Sequence, residues 1–194
     1  MRRVASSLSV TPMSLYNHVS DKAELIDLMV DFIVGDIIEE PIDAESDWVE
    51  ALRTVCRQTH KVWGAHPGFA RVYSDGVTVG PNGLTNIERT VKVLRDVGFS
   101  DADAARAFFL LYQYTISSLL VAHAKPLDLH ARDRRSDGSA DDRVDTYFSA
   151  LPRQDVPNVL AVARFLSGGD FEFGLDILLN GLRLRLQRSP SNFP

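Results

Sequence analysis

Apolar residues recur at three- and four-residue spacings along most of the chain, and no run alternates long enough to read as a strand. Val4 and Leu8 lie on one side of a first short segment, Leu15 and Val19 on one side of a second, and Ser9-Val10 interrupts the two. Thr11-Pro12 opens the second segment: a threonine hydroxyl can accept from a free backbone N–H at a helix start, and proline fits the first helical position, where no N–H is needed. Asp21 with Glu24 three residues on has the form of a capping box. Leu25, Ile26, Met29, Phe32, Ile33 and Ile37 then predict one helix from Asp21 to about Glu40, stopped by Pro41. A further helix opens at Asp47-Trp48 and carries Ala51, Leu52, Val55, Thr59, Val62 and Trp63 to a stop near His66-Pro67. After the turn-rich Gly80-Pro81-Asn82-Gly83, Leu84 to Val97 reads as a helix through Ile87, Val91 and Leu94, closed by Gly98 just past its end. Long apolar helices are expected from Asp101 to about His123 and from Asp170 to Gln187. Shorter segments are expected at Phe69–Tyr73, Arg143–Ala150 and about Asn158–Leu166, with Lys125–Arg143 as a mobile surface loop. The fold class is all-α.

The second short segment leaves Thr11, Pro12, Met13, Ser14, Tyr16, Asn17 and His18 outward, a polar and nearly uncharged face suited to base edges and phosphates. A helix-turn-helix needs such a face, because the N-terminal part of its second helix enters the major groove. Lys22, in the first turn of the next helix, is placed to meet a phosphate. Any short amphipathic helix pair would show the same pattern, so the residues alone leave both readings open.

A chain of 194 residues can bury a proper core, and 45% hydrophobic with 24% charged residues is ordinary for a globular protein. Cys56 is the single cysteine, which excludes an internal disulfide. No stretch approaches a transmembrane span, and Met1-Arg2-Arg3 is followed by no apolar run of the secretory kind, so a cytoplasmic protein with no membrane partner is expected. The net charge of −5 would suit a nucleic-acid binder badly, except that Arg2, Arg3 and Lys22 concentrate in the first segments. Few phosphate contacts are then expected, and a dimer would double them.

The run from Val4-Ala5 through Leu15-Tyr16-Asn17-His18-Val19 to Asp21-Lys22 and Glu24-Leu25 resembles the tetracycline-repressor (TetR) family. At the other end, Phe171-Glu172-Phe173-Gly174-Leu175 with Gly181-Leu182 is similar to a signature of that family's regulatory domain. The resemblance implies that Thr11, Pro12, Met13, Ser14, Tyr16, Asn17 and His18 face DNA and that Lys22 meets a phosphate. It implies a reading head over residues 1–40, with its linking helix, and a ligand-binding and dimerisation domain over residues 41–194. Two departures stand out. The turn position usually held by Gly is Ser9, which must tolerate a left-handed or nearby conformation. The family's first head helix has no counterpart ahead of Arg2, as though the chain began at an internal Met or were trimmed. Val4, Leu8 and Leu15 are then expected to be exposed, and DNA binding to be poor.

Gly174 and Gly181 lie seven apart on the last helix, and small residues let another helix approach closely. A core helix with two costly glycines is the alternative. The family implies instead a four-helix dimer interface built from this helix and the Asp101 helix of each subunit, with Phe171, Gly174, Leu175, Leu178, Gly181 and Leu182 at the contact. A two-fold protein suits a palindromic double-stranded operator.

A helical body can leave a pocket, and Val55, Thr59, Trp63, Tyr73, Phe108, Tyr112 and Gln113 are candidates to line it, each with plain core packing as the duller explanation. Gln113 is the more telling, since an amide inside a long apolar helix needs a partner. Val55 and Thr59 stand where tetracycline-binding members carry Asn and Phe. Tyr73, Gln113 and Val121 stand where those members place two His and an acidic residue, which argues against a magnesium–tetracycline chelate. No metal or other cofactor is called for, and an uncharged, partly aromatic or hydrophobic effector fits better. Cys56 with His60 four residues on is the nearest approach to a catalytic pair, more simply a buried Cys beside a surface His. The expectation is a homodimeric, ligand-responsive repressor and not an enzyme. The alternatives are a helical small-molecule-binding protein without DNA binding and, more weakly, a helical-bundle enzyme.

Overall fold

Eight helices form among the residues that the computed structural model describes, which are 1–38, 47–66, 68, 79–123, 154–162 and 170–188. The expected segments at Phe69–Tyr73 and Arg143–Ala150, the loop Lys125–Arg143 and the stop at Pro41 lie outside them. The helices are α1 (Arg2–Ser7), α2 (Pro12–Tyr16), α3 (Lys22–Ile38), α4 (Trp48–Gly64), α5 (Pro81–Asp96), α6 (Asp101–His123), α7 (Pro157–Val162) and α8 (Phe171–Arg188).

The turn between α1 and α2 closes as a Schellman motif. Ser9 N–H donates to the Ser6 carbonyl at 3.2 Å and Val10 N–H to the Ala5 carbonyl at 3.0 Å, with Ser9 left-handed at φ 56°. A serine there carries strain that glycine would not. Thr11 Oγ1 accepts from Ser14 N–H at 3.1 Å with Pro12 in the first helical position, so both start signals act as expected. At the start of α3, Asp21 Oδ1 accepts from Glu24 N–H at 2.9 Å, while Glu24 Oε2 accepts from the N–H and the hydroxyl of Ser20, each at 2.6 Å. The return bond thus lands one residue before the capping position. The Ser20 hydroxyl, then its N–H, hold the Glu24 carboxyl below its ordinary pKa.

α5 starts at Pro81, a turn earlier than the apolar spacing indicates, because Gly80-Pro81-Asn82-Gly83 is its cap and first turn. It ends in a second Schellman motif, with Gly98 at φ 107°, Gly98 N–H on the Arg95 carbonyl and Phe99 N–H on that of Leu94. Phe99 is thereby turned inward, edge-on to Trp48 with ring centroids 5.9 Å apart.

Two apolar clusters hold the body. In the first, Leu52 and Cys56 of α4, Leu94 of α5, Ala104, Ala107 and Leu111 of α6 and Leu175 and Leu179 of α8 pack together. The second joins Val30, Val34 and Ile37 of α3 to Trp63 of α4 and to Ile116 and Leu119 of α6. The buried side of α3 therefore runs through Val30, Ile33, Val34 and Ile37, while Met29 and Phe32, which spacing alone groups with the core, are exposed. α3 is apolar over most of its circumference, so periodicity does not select a face. Val4 and Leu8 are exposed and Leu15 is half-buried, so Leu15 is more covered than expected. No helix among the described residues is long and apolar enough to cross a membrane.

Candidate functional site

A cavity of about 170 Å³ opens between α3, α4, α5 and α6. Val30, Asp31, Val34 and Ile37 of α3 form one wall, Trp63 of α4 and Asn86 and Ile87 of α5 form others, and Phe108, Phe109 and Tyr112 of α6 close it. A side cavity of about 20 Å³ lies against Val55, Cys56, Thr59, Thr90 and Thr115, and shares Asn86, Phe108 and Tyr112 with the first. The Phe108 and Tyr112 rings stack 5.8 Å apart. Trp63, Phe108 and Tyr112 thus meet at the larger cavity, and Val55 and Thr59 at the smaller. Gln113 is exposed and lines neither, because it sits one position round α6 from Tyr112 and faces outward. Tyr73 lies outside the described residues.

Asp31 and Asn86 also line the cavity, and the sequence reasoning missed both. α5 has glycine at its capping position, Gly80, with no side chain to receive the free N–H groups of the first turn. Asp31 supplies the acceptor from another helix: its Oδ1 accepts from Gly83 N–H at 2.9 Å and its Oδ2 from Asn82 N–H at 3.3 Å. The Asn82 amide returns a bond to the Asp31 carbonyl at 3.0 Å. A Cβ at Gly80 would overlap that carboxylate, so the glycine is required by the close approach of α3. Asn86 is 7% exposed, and its Oδ1 has no partner among the described residues. The only sequence signal for it was the pair Asn86 and Thr90 four apart on α5; the structure buries these two with Val93 and Leu94, whereas spacing favoured Ile87 and Val91.

Burial pushes the Cys56 thiol up to about 11, against smaller opposing effects of Thr115 and Arg53. His60 stacks on Phe171 with centroids 4.0 Å apart. A protonated, buried thiol is no nucleophile at neutral pH.

In the reading segment Thr11, Pro12, Met13, Tyr16, Asn17, His18 and Lys22 are exposed and Ser14 is half-buried. α8 divides the expected contact residues between its inner and outer sides. Leu175 and Leu182 are buried in the subunit's own core, and Leu178 and Phe171 are half-buried against it. Phe171 also stacks on Tyr114 at 5.7 Å, and a Cβ on Gly174 would overlap the Tyr114 hydroxyl, which donates to the Phe171 carbonyl at 3.0 Å. That glycine serves packing within the subunit. Gly181 faces open space. The exposed apolar stripe is one step round the helix, through Phe173, Ile177 and Leu184; Phe109 and Leu110 of α6 are exposed as well. Ion pairs of Arg53 with Asp176 and of Arg57 with Glu172 at 2.8 Å fix α8 on α4.

Residues 40–186 match the family model described as the tetracyclin repressor-like, C-terminal domain. The HTH-type transcriptional repressor DrrR1 of Streptomyces coeruleorubidus is 30% identical over 200 residues, covering 95% of this chain and 69% of that protein. The class C tetracycline repressor protein of Escherichia coli is 24% identical, covering 95% of this chain and 82% of that one. Among solved structures, the TetR family protein ActR of Streptomyces coelicolor superposes at TM-score 0.82 in its apo form. Identity there is 30%, over 97% of this chain and 87% of that one. Its complex with actinorhodin superposes at 0.80, with 30% identity over 96% and 87% of the two chains. With an all-helical body, a turn of helix-turn-helix form and a family match over most of its length, this chain belongs to the tetracycline-repressor (TetR) family of transcriptional regulators.

Proposed function

We propose that this protein is a homodimeric repressor that a small-molecule effector releases from a palindromic operator. The observation that carries this reading is the shared wall of the cavity: α3 contributes Val30, Asp31, Val34 and Ile37 to it and is also the helix that follows the reading segment. A ligand there touches the helix into which the reading segment runs. Release then requires that the effector bind one arrangement of α3 better than the other.

In this reading residues 1–40 form the reading unit and residues 41–194 the ligand-binding and dimerisation unit. Thr11, Pro12, Met13, Ser14, Tyr16, Asn17 and His18 meet DNA and Lys22 meets a phosphate. The exposed stripe Phe173, Ile177 and Leu184 on α8, with Leu110 exposed on α6, supports pairing through these helices, since an exposed apolar face is what such an interface buries. The protein works in the cytoplasm, performs no catalysis and needs no cofactor. Being mostly apolar, the cavity suits an uncharged aromatic effector.

Selection from a random-sequence duplex library tests the DNA half. Enrichment of inverted half-sites about one helical turn apart is expected. Tyr16→Ala should weaken binding to the selected duplex, and Lys22→Ala should also lower the salt slope by about two units, one for each subunit, both without dissociating the dimer. No enriched sequence would refute the repressor reading.

A further inference from the structure

We infer that Asn86 is the polar determinant of the effector site, its side-chain amide hydrogen-bonding a hydroxyl group on an aromatic ligand held in the cavity. The inference rests on the reading of that cavity as the effector site and adds the ligand's chemistry to it.

Asn86 stands where the two cavities meet and lines both. It is 7% exposed, and its Oδ1 has no partner among the described residues. Three neighbouring polar groups are engaged. The Thr90 hydroxyl donates to the Asn86 main-chain carbonyl at 2.8 Å, the Thr115 hydroxyl donates to the Leu111 carbonyl at 2.8 Å, and the Asp31 carboxylate holds the first turn of α5. Buried side-chain amides without a partner are rare in native proteins, and this one belongs to a residue that lines the cavity. A ligand hydroxyl would also displace any water held there, since a good replacement bond costs nothing on exchange.

The other walls set the rest of the ligand. Phe108 and Tyr112 present stacked rings, and Val34 and Ile87 an aliphatic side. A volume of about 170 Å³ suits a single ring with a short substituent, given that a cavity of about 150 Å³ takes benzene. A larger molecule would place one ring here and extend through the opening. A molecule lacking the hydroxyl would leave the amide buried and unpaired, and sites built around such a bond discriminate against analogues without it.

Phenol and toluene are nearly isosteric and differ in the donor, so the test is their binding to the dimer by NMR titration, for the native protein and for Asn86→Leu. The expected result is a phenol-to-toluene affinity ratio about tenfold higher in the native protein than in the variant, the size of one lost hydrogen bond. The ratio isolates the amide, because in Asn86→Leu the advantage of phenol over toluene should vanish whatever the change in packing, which a merely structural role for the amide would not produce. Should the variant fold poorly, the Asn86 side-chain amide resonances of the native protein give the same answer: phenol should shift them and toluene should not. Equal ratios in the two proteins, or equal shifts with both probes, would overturn the assignment of Asn86 while leaving the cavity a ligand site. If neither probe binds the native protein, the effector-site reading falls and the assignment with it.

Discussion

Replacing Asp31 by alanine removes the cap of α5 without touching α5 itself. The variant loses the Oδ1 bond to Gly83 N–H at 2.9 Å and the longer Oδ2 bond to Asn82 N–H at 3.3 Å. A missing N-cap acceptor costs about 1 kcal/mol. The lost attraction between a carboxylate and a helix N-terminus adds about 1 kcal/mol in a half-buried setting. The sum, ~2 kcal/mol, corresponds to a fall in Tm of about 4–8 °C for a chain of this size. Asp31→Asn keeps one acceptor oxygen and gives up the charge, so it should lose roughly half as much. Urea denaturation at one fixed protein concentration is the assay, since subunit association, where it occurs, makes stability concentration-dependent. The m-value should be unchanged, because the same surface is exposed on unfolding. Asp36→Ala, an exposed carboxylate on the same helix, is the control. If Asp31→Ala costs less than about 0.5 kcal/mol, or no more than Asp36→Ala, then α5 is not capped from α3 and the coupling between cavity and linking helix loses its best contact.

Three further outcomes follow from other parts of the structure. Ser9→Gly should stabilise the protein by about 0.5 kcal/mol, the relief of a left-handed serine less the added freedom of the unfolded chain, and a lower Tm would contradict the strained turn. Ile177→Glu should give a folded monomer by sedimentation, whereas Leu175→Ala, inside the subunit core, should cost about 2–5 kcal/mol in unfolding experiments; an Ile177→Glu variant that stays dimeric would remove α8 from the interface. Cys56 should resist thiol labelling at pH 8 except through unfolding. Its folded pKa of about 11 lies above the unfolded value, so the stability it contributes is complete below the unfolded pKa and is lost as pH rises through about 11. Rapid labelling of native protein would show the thiol is not buried.

Much of the fold was legible because its signals are local. The caps at Thr11-Pro12 and Asp47, the left-handed Gly98 and the bounds of α6 each depend on residues within a few positions of one another, and the structure reproduces them. Even the strained turn at Ser9 was foreseeable, since a Schellman closure demands a left-handed residue whatever its side chain. The pocket was legible in part: Trp63, Phe108 and Tyr112 are large side chains on inward faces, and the structure gathers them at one cavity.

Sequence by itself determined the helices, their stops and the family, because hydrogen-bonding needs at helix ends and the spacing of apolar residues are written along the chain. Tertiary structure alone decided which side of an apolar helix is inward. α8 could present Leu175 and Leu182 or Phe173 and Ile177 to its own core, and only packing against α4 and α6 chooses the first pair and leaves the second outside. It also decided the partners of polar groups distant in sequence. Asp31 meets Gly83 across 52 positions, and Asn86 faces a cavity whose other walls belong to α3, α4 and α6. Neither relation leaves a periodic trace, because a cap supplied from another helix and a polar side chain in a cavity wall exist only once those helices have packed.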